Sequence, residues 1–396
     1  MKNILPRFAW VLILVAGLSC SRSREGNTSS PSSPSHPFQI NFKALSKVIV
    51  ERAQLQPGER VLLVAKTGDF DSTVYHLAEG ITSAQAVYLG TIDVDGKAND
   101  SWQTEFTKMV EGKSRAEMAT RFEDVDLAIM LPGADTTHAP YAAMQDVLRQ
   151  QKGRTIHFHW AGAYQMNGTP MERTQQMDQT YQVAVLNTDY EIIAREHLRL
   201  EEAMRSGAVR ITTPLGTDIR FLVGKRPVTR QDGDASRSRC EKAENLIDRE
   251  IELPAGAVRV APVEESVEGK IAFPPGTWNG TMVKGLVMTF RRGKVVSVQA
   301  DEGLEVVQSE LDSAGAAAAF REFAIGFNPW LAVPEVGPQW IPYYGYGAGV
   351  IRLSLGDNSE LGGRVKGNYV RWTFFTDATV AVGKEIWLRN GKLVKF

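Results

Sequence analysis

The sequence predicts an α/β domain with a parallel sheet, followed by a β-rich α+β domain. Three observations carry that division. In the first half, short apolar runs bounded by turn residues alternate with amphipathic helical stretches, the pattern of βαβ units. In the second half, strand-like runs about Gly and Asp turns dominate, with one helical stretch among them. Between the two lies a helical segment over residues 191–206 that reads as the bridge.

Taken in order, an amphipathic helix over 42–54 is stopped by Pro57 and Gly58. The apolar run 60–65 follows and reads as a buried parallel strand, because its apolar character is continuous rather than alternating. A helix over 71–84, a strand over 86–89, a strand over 125–131, a helix over 140–151 and a strand over 155–160 continue the pattern. No Gly-rich phosphate loop accompanies these strands, so nucleotide binding has little support. After the bridging helix, residues 209–223 alternate about Gly216-Thr-Asp218, which suits a hairpin. Strands are then expected over 257–260, 280–291, 294–300, 349–355, 369–376 and 385–388, with a helix over 304–321 presenting Glu322 at its end.

The N-terminus carries a different signal. Lys2 and Arg7 precede an apolar run over 8–18, of the length of a secretory h-region and too short for a membrane span. Cys20 follows directly, so residues 1–20 read as a lipoprotein-type signal peptide with Cys20 as the lipidated residue. A plain secretory signal is the alternative, since residue 17, three before Cys20, is Gly where lipoprotein signals usually carry Leu. Residues 21–37 hold no apolar side chain able to nucleate a core, and their Ser/Pro density favours a solvated tether over 21–38. The α/β domain is then assigned to 39–207 and the α+β domain to 208–396.

Composition narrows the function classes. A chain of 396 residues with 43% hydrophobic and 23% charged content has enough apolar mass for two ordinary cores. A net charge of -1 with no concentrated basic stretch argues against a nucleic-acid partner. With two cysteines, one of them Cys20, Cys240 has no intramolecular partner to spare, and no neighbouring His could serve it as a base for nucleophilic work.

The second half contains no histidine, the last of six being His197, yet it reads Leu253-Pro-Ala-Gly-Ala257, Phe320-Arg-Glu322-Phe-Ala-Ile-Gly326, Ile351-Arg352-Leu-Ser-Leu-Gly356 and Val370-Arg371-Trp-Thr373. Together with Gly216-Thr217-Asp218, these stretches resemble the aminopeptidase T / aminopeptidase S family of metallo-aminopeptidases, clearly in 208–396 and faintly in the first domain. The resemblance implies an aminopeptidase T-like fold, a homodimer and a two-metal peptidase site. It places the family's metal ligands at Ala257, Glu322, Arg352, Ser359, Arg371 and Thr373, of which Glu322 alone is able to hold a metal. A divalent ion needs several converging, deprotonated N and O ligands. Arginine stays protonated at working pH, so Arg352 and Arg371 would set positive charge where the family keeps metal.

The expectation that follows is a binding cluster of Glu322, Arg352 and Arg371, with no resident cofactor and no confident catalytic residue. Its protein would be noncatalytic, extracytoplasmic, anchored to the cell envelope, and would bind a peptide, a small anionic ligand or a protein partner. The competing expectation is an active aminopeptidase in which Glu322 joins Glu264, Glu265, Glu268 or Asp357 around zinc or another divalent metal, with Glu322 catalytic. Four further features carry bland readings beside functional ones. His157 and His159 share one strand face and are a minimal metal pair, though chance gives the same spacing and no Cys or acidic cluster lies close by in sequence. His138 reads as a loop cap and Asp218 as a turn residue bonding its own backbone. The aromatic stretch 327–346 is either a binding wall or a plug.

Overall fold

A computed structural model describes residues 38–97 and 100–394. The expected signal peptide, Cys20 and nearly all of the tether lie outside the described residues. Residues Gln39–Phe396 form one compact unit.

Four parallel strands of the first half are β1 (Arg60–Ala65), β2 (Val87–Asp93), β3 (Leu127–Met130) and β4 (Arg154–Phe158). Every residue of Val61-Leu-Leu-Val-Ala65 is buried because the strand has a core on each side: Val61, Leu63 and Ala65 face one apolar cluster, Leu62 and Val64 another. The helices Phe42–Ala53, Asp71–Ser83 and Ala139–Arg149 fall within a residue or two of expectation, whereas Gln175–Asn187, Glu105–Val110 and Arg115–Phe122 were not anticipated.

The remaining strands of the two site-building sheets are β5 (Val228–Gln231), β6 (Glu250–Leu253), β7 (Ala257–Val260), β8 (Phe320–Gly326), β9 (Ile351–Gly356) and β10 (Val370–Phe375). Strand β6 departs from the expected division at residue 207. It pairs in parallel with β4 and closes the first sheet in the order β2-β1-β3-β4-β6, although it belongs to the second half of the chain. The second sheet is antiparallel, in the order β10-β9-β8-β7-β5. An eight-stranded sheet packs with it around the largest apolar cluster and contains the expected hairpin, Val209–Thr212 paired with Asp218–Phe221.

One helix is shorter than expected. It spans Leu304–Ala314 and stops at Gly315, whose φ of 54° a side chain would resist. The alanines that follow lead into β8, so Glu322 sits inside a strand rather than at a helix end.

Candidate functional site

Strand pairing explains how Glu322 acquires its neighbours. In the antiparallel sheet Ala324 of β8 lies opposite Arg259 of β7 on one side and Arg352 of β9 on the other. Residues two apart share a face, so Glu322 projects on the same side as both arginines. The register slips between Phe320 and Glu322, leaving Arg321 as the extra residue of a bulge. That slip lets adjacent Arg321 and Glu322 side chains meet, which a regular strand forbids.

The result is a closed ion cluster. Arg259 Nε donates to Glu322 Oε1 at 2.6 Å, Arg352 Nη2 donates to the same oxygen at 2.9 Å, and Arg321 Nη1 donates to Oε2. Glu322 is fully buried and the three guanidiniums nearly so. Burial alone would raise the Glu322 carboxyl, but the charges of Arg259, Arg352 and Arg321 outweigh it and hold the group well below the usual carboxylate range. Glu360, partly exposed, is the second carboxylate, bonded by Arg321 and 3.7 Å from Arg259 Nη2. Arg352 also donates to the Tyr344 carbonyl at 3.0 Å and lies over the Trp372 ring at 4.5 Å.

Two members of this cluster, Arg259 and Arg321, escaped the sequence reading. Their signal was present, as charges inside otherwise apolar strands. Arg371, by contrast, is not a member. It is opposite Leu355, an odd number of positions from the Arg352–Phe374 pair, and so projects from the other face of the sheet. There it pairs with Glu310 at 2.7 Å and stacks on Trp278 at 3.6 Å. The expected binding cluster of Glu322, Arg352 and Arg371 is therefore not formed, because only Arg352 of the two arginines meets Glu322.

The other positions give no metal ligands around Glu322. Ala257 is core, Ser359 bonds Asp357, and Thr373 lies on β10. Glu264 is taken by Arg226, Arg364 and Asn358, and Glu265 by Arg364. Glu268 accepts from the Arg292 backbone and Asp357 from Ser359 and Gly367. None of these carboxylates is bonded together with Glu322 among the described residues, so the rebuilt acidic site is not assembled, and the donors at the family position do not fit a divalent metal. Asp218 corrects a smaller expectation: its carboxylate accepts two bonds from Arg210 across the hairpin, at 2.8 and 2.7 Å.

A second cluster lies where the first sheet ends. His157 of β4 is opposite Glu252 of β6, and Thr155 is opposite Glu250, so these four side chains and His159 share one face. One nitrogen of each histidine and one oxygen of Glu252 all lie within 4.8 Å of one another. His157 Nδ1 is 3.6 Å from Glu252 Oε1, and His159 Nδ1 is 3.7 Å from Glu252 Oε2. The imidazoles stack 5.0 Å apart. Burial lowers the His159 imidazole to about 4. Burial would raise the Glu252 carboxyl, but the His157 hydrogen bond, the two imidazole charges and the Tyr343 hydroxyl hold it at about 2. Sequence reasoning found the histidines and missed the carboxylates, because β6 reaches them only through the parallel crossover.

The aromatic stretch behaves mainly as a plug. Phe327, Trp340, Tyr343 and Tyr346 are buried, and Tyr343 donates to Glu252 at 2.9 Å. Trp330 remains exposed. Gly162, at φ 75°, makes room for Tyr344, since a Cβ there would stand 2.5 Å from its ring. His138 sits at the start of helix Ala139–Arg149, where its Nδ1 accepts from the Asp135 backbone at 3.2 Å.

Residues 199–330 match the thermophilic metalloprotease (M29) family. Over 74 residues the chain is 39% identical to aminopeptidase T of Thermus thermophilus, a stretch that spans 18% of either protein. The solved structure of wild-type AmpT from Thermus thermophilus superposes on 90% or so of the fold: it covers 89% of this chain and 99% of its own, with a TM-score of 0.55 at 17% identity. The central part of the chain is thus similar to the M29 metalloproteases, and the whole fold is similar to that of AmpT. A dioxygenase for 2,5-dihydroxypyridine from Pseudomonas putida KT2440 has the same architecture, with a TM-score of 0.60 over 90% of this chain and 99% of that one, at 14% identity. At such identities the likeness is one of fold. The chain shares its two-part architecture with AmpT, as expected, while its buried arginines are read from its own residues.

Proposed function

We propose that this is an extracytoplasmic aminopeptidase T-like protein that does not perform two-metal peptide hydrolysis and instead binds a peptide or a protein partner at the cell envelope. The observation that carries this reading is the Glu322 carboxylate, fully buried and already accepting from Arg259, Arg321 and Arg352. Those guanidiniums carry permanent positive charge at the position the family resemblance gives to metal, so cation and guanidinium are alternatives there. The envelope location rests on the Cys20 lipoprotein signal and the Ser/Pro-rich tether.

The test combines peptidase assays with zinc, cobalt or manganese added to the purified protein. The expected result is no hydrolysis of amino-acyl arylamides or short peptides above the uncatalysed rate. Two bound metals per chain, both lost with Glu322→Gln together with hydrolytic activity, would overturn the reading. For the location, Cys20→Ser is expected to move the protein from the membrane fraction to the soluble one. A wild type that is already soluble refutes the lipid anchor and leaves a plain secretory signal.

A further inference from the structure

We propose that His157, His159 and Glu252 form a binding site for one divalent first-row transition metal ion, separate from the position at Glu322. The donor set is two imidazoles and one carboxylate, a combination that binds zinc or iron(II) with coordination positions left open. Metal bonds of about 2.0–2.1 Å place tetrahedral donors about 3.3 Å apart. The two imidazole-to-carboxylate separations of 3.6 and 3.7 Å are within a small side-chain adjustment of that geometry.

Charge supports the assignment. Glu250 and Glu252 are two carboxylates in a mostly buried cluster, and among the described residues no Lys or Arg nitrogen is paired with either, the ion pairs they make being to His157 and His159. At Glu322 the protein met the same problem with three arginines. Here it supplies ligands instead, and a cation would complete the balance.

The surroundings are those of held ligands. With His157 bound through Nδ1, its Nε2 faces the Thr155 hydroxyl at 3.1 Å and the Glu250 carboxylate at 4.0 Å, and Glu250 is fixed by Gln145 at 2.9 Å. A carboxylate behind a ligating imidazole sets its tautomer and raises its basicity. Tyr343 orients Glu252 from the other side. His159 Nε2 is buried without a hydrogen-bond partner, so nothing ties that nitrogen in place and a ring flip would present it to the ion in place of Nδ1. His159 and Glu252 keep 17% and 14% of their side-chain surface, which gives the ion a way in.

The experiment is titration of the purified, metal-stripped protein with cobalt(II), read by visible absorption, with zinc(II) competition and elemental analysis. One equivalent is expected to bind, and His159→Ala and Glu252→Gln are each expected to abolish stoichiometric uptake, while His138→Ala, a histidine outside the cluster, leaves it unchanged. Tyr343→Phe, which removes the hydrogen bond aiming Glu252, is expected to weaken binding by about 10–100-fold. Should Glu252→Gln fail to fold, His159→Ala decides, because its side chain is partly exposed, and X-ray absorption of the zinc form must show two imidazole ligands. No uptake by the wild type, or uptake indifferent to His159→Ala, overturns the site. Uptake that responds to Glu322→Gln and not to His159→Ala overturns it and the proposed function together, whereas hydrolysis dependent on Glu322 with this site intact would overturn only the latter.

Discussion

Glu322→Gln is the sharpest perturbation available, because it leaves shape nearly unchanged and removes one charge from the centre of the cluster. Three guanidiniums, of Arg259, Arg321 and Arg352, face two carboxylates, of Glu322 and Glu360. Without Glu322, three buried cations share a single, partly exposed counter-charge. Breaking a buried pair by removing one partner costs about 3–5 kcal/mol, and the upper end is expected here because three partners are stranded at once. Arg352→Met is expected to cost less, since it leaves two cations facing two anions, although it also loses the Tyr344 carbonyl bond and the Trp372 stacking. The pH dependence has a definite sign. The folded-state carboxyl lies below its unfolded value of about 4.3, so its contribution is complete above that pH and is lost as pH falls toward the folded value. Urea denaturation followed by tryptophan fluorescence at pH 7, 5 and 3 measures this. The gap between wild type and Glu322→Gln is expected to be constant from pH 7 to 5 and to shrink at pH 3. A gap under about 1 kcal/mol at pH 7, or one that does not change with pH, would refute the view that these charges hold one another in place.

Other outcomes follow from the same contacts. Glu310→Gln is expected to cost about 1–2 kcal/mol, as its partner Arg371 is only partly buried, and to add to Arg352→Met within about 0.5 kcal/mol, because the two arginines project from opposite sheet faces; a larger coupling in a double-mutant cycle would contradict that placement. Arg154→Met should destabilise the first sheet by about 3 kcal/mol, since Arg154 bonds both oxygens of Glu59 at 2.8 Å in a fully buried pair; a melting temperature equal to wild type would count against it. The Cys240 thiol, pushed up to about 11 by burial, is expected to resist thiol reagents at pH 8 in the folded protein and to react at once in urea.

Periodicity made much of the fold legible. The apolar run at Arg60–Ala65, the hairpin around Gly216 and the strand at Ala257–Val260 all lie where pattern places them. What failed was decided by conformation or by pairing. The helix starting at Leu304 reads onward through Ala316 to Ala319, all good helix formers, and only the positive φ of Gly315 ends it. Arg371 was set beside Glu322 by its position in a motif, but a face is fixed by register, and one residue of offset sends a side chain to the other side. Glu322 and Arg352 were joined by the same motif positions, and there the two strands do pair; Arg259 and Arg321 required knowing that a bulge and a third strand meet there. The histidine pair was visible by its spacing, yet its carboxylates arrive on a strand from the far half of the chain.

That late-arriving strand, β6, constrains how the molecule is made. When residue 207 leaves the ribosome, the parallel sheet has four strands and the backbone edge of β4 is open, a template for any other extended chain. Only after residue 253 emerges can the edge be covered, so synthesis passes through an interval in which the first half is nearly complete and adhesive. A fragment cut at the apparent boundary would remain in that interval for good, and expression of 39–207 alone should yield aggregates where 39–253 gains its missing edge.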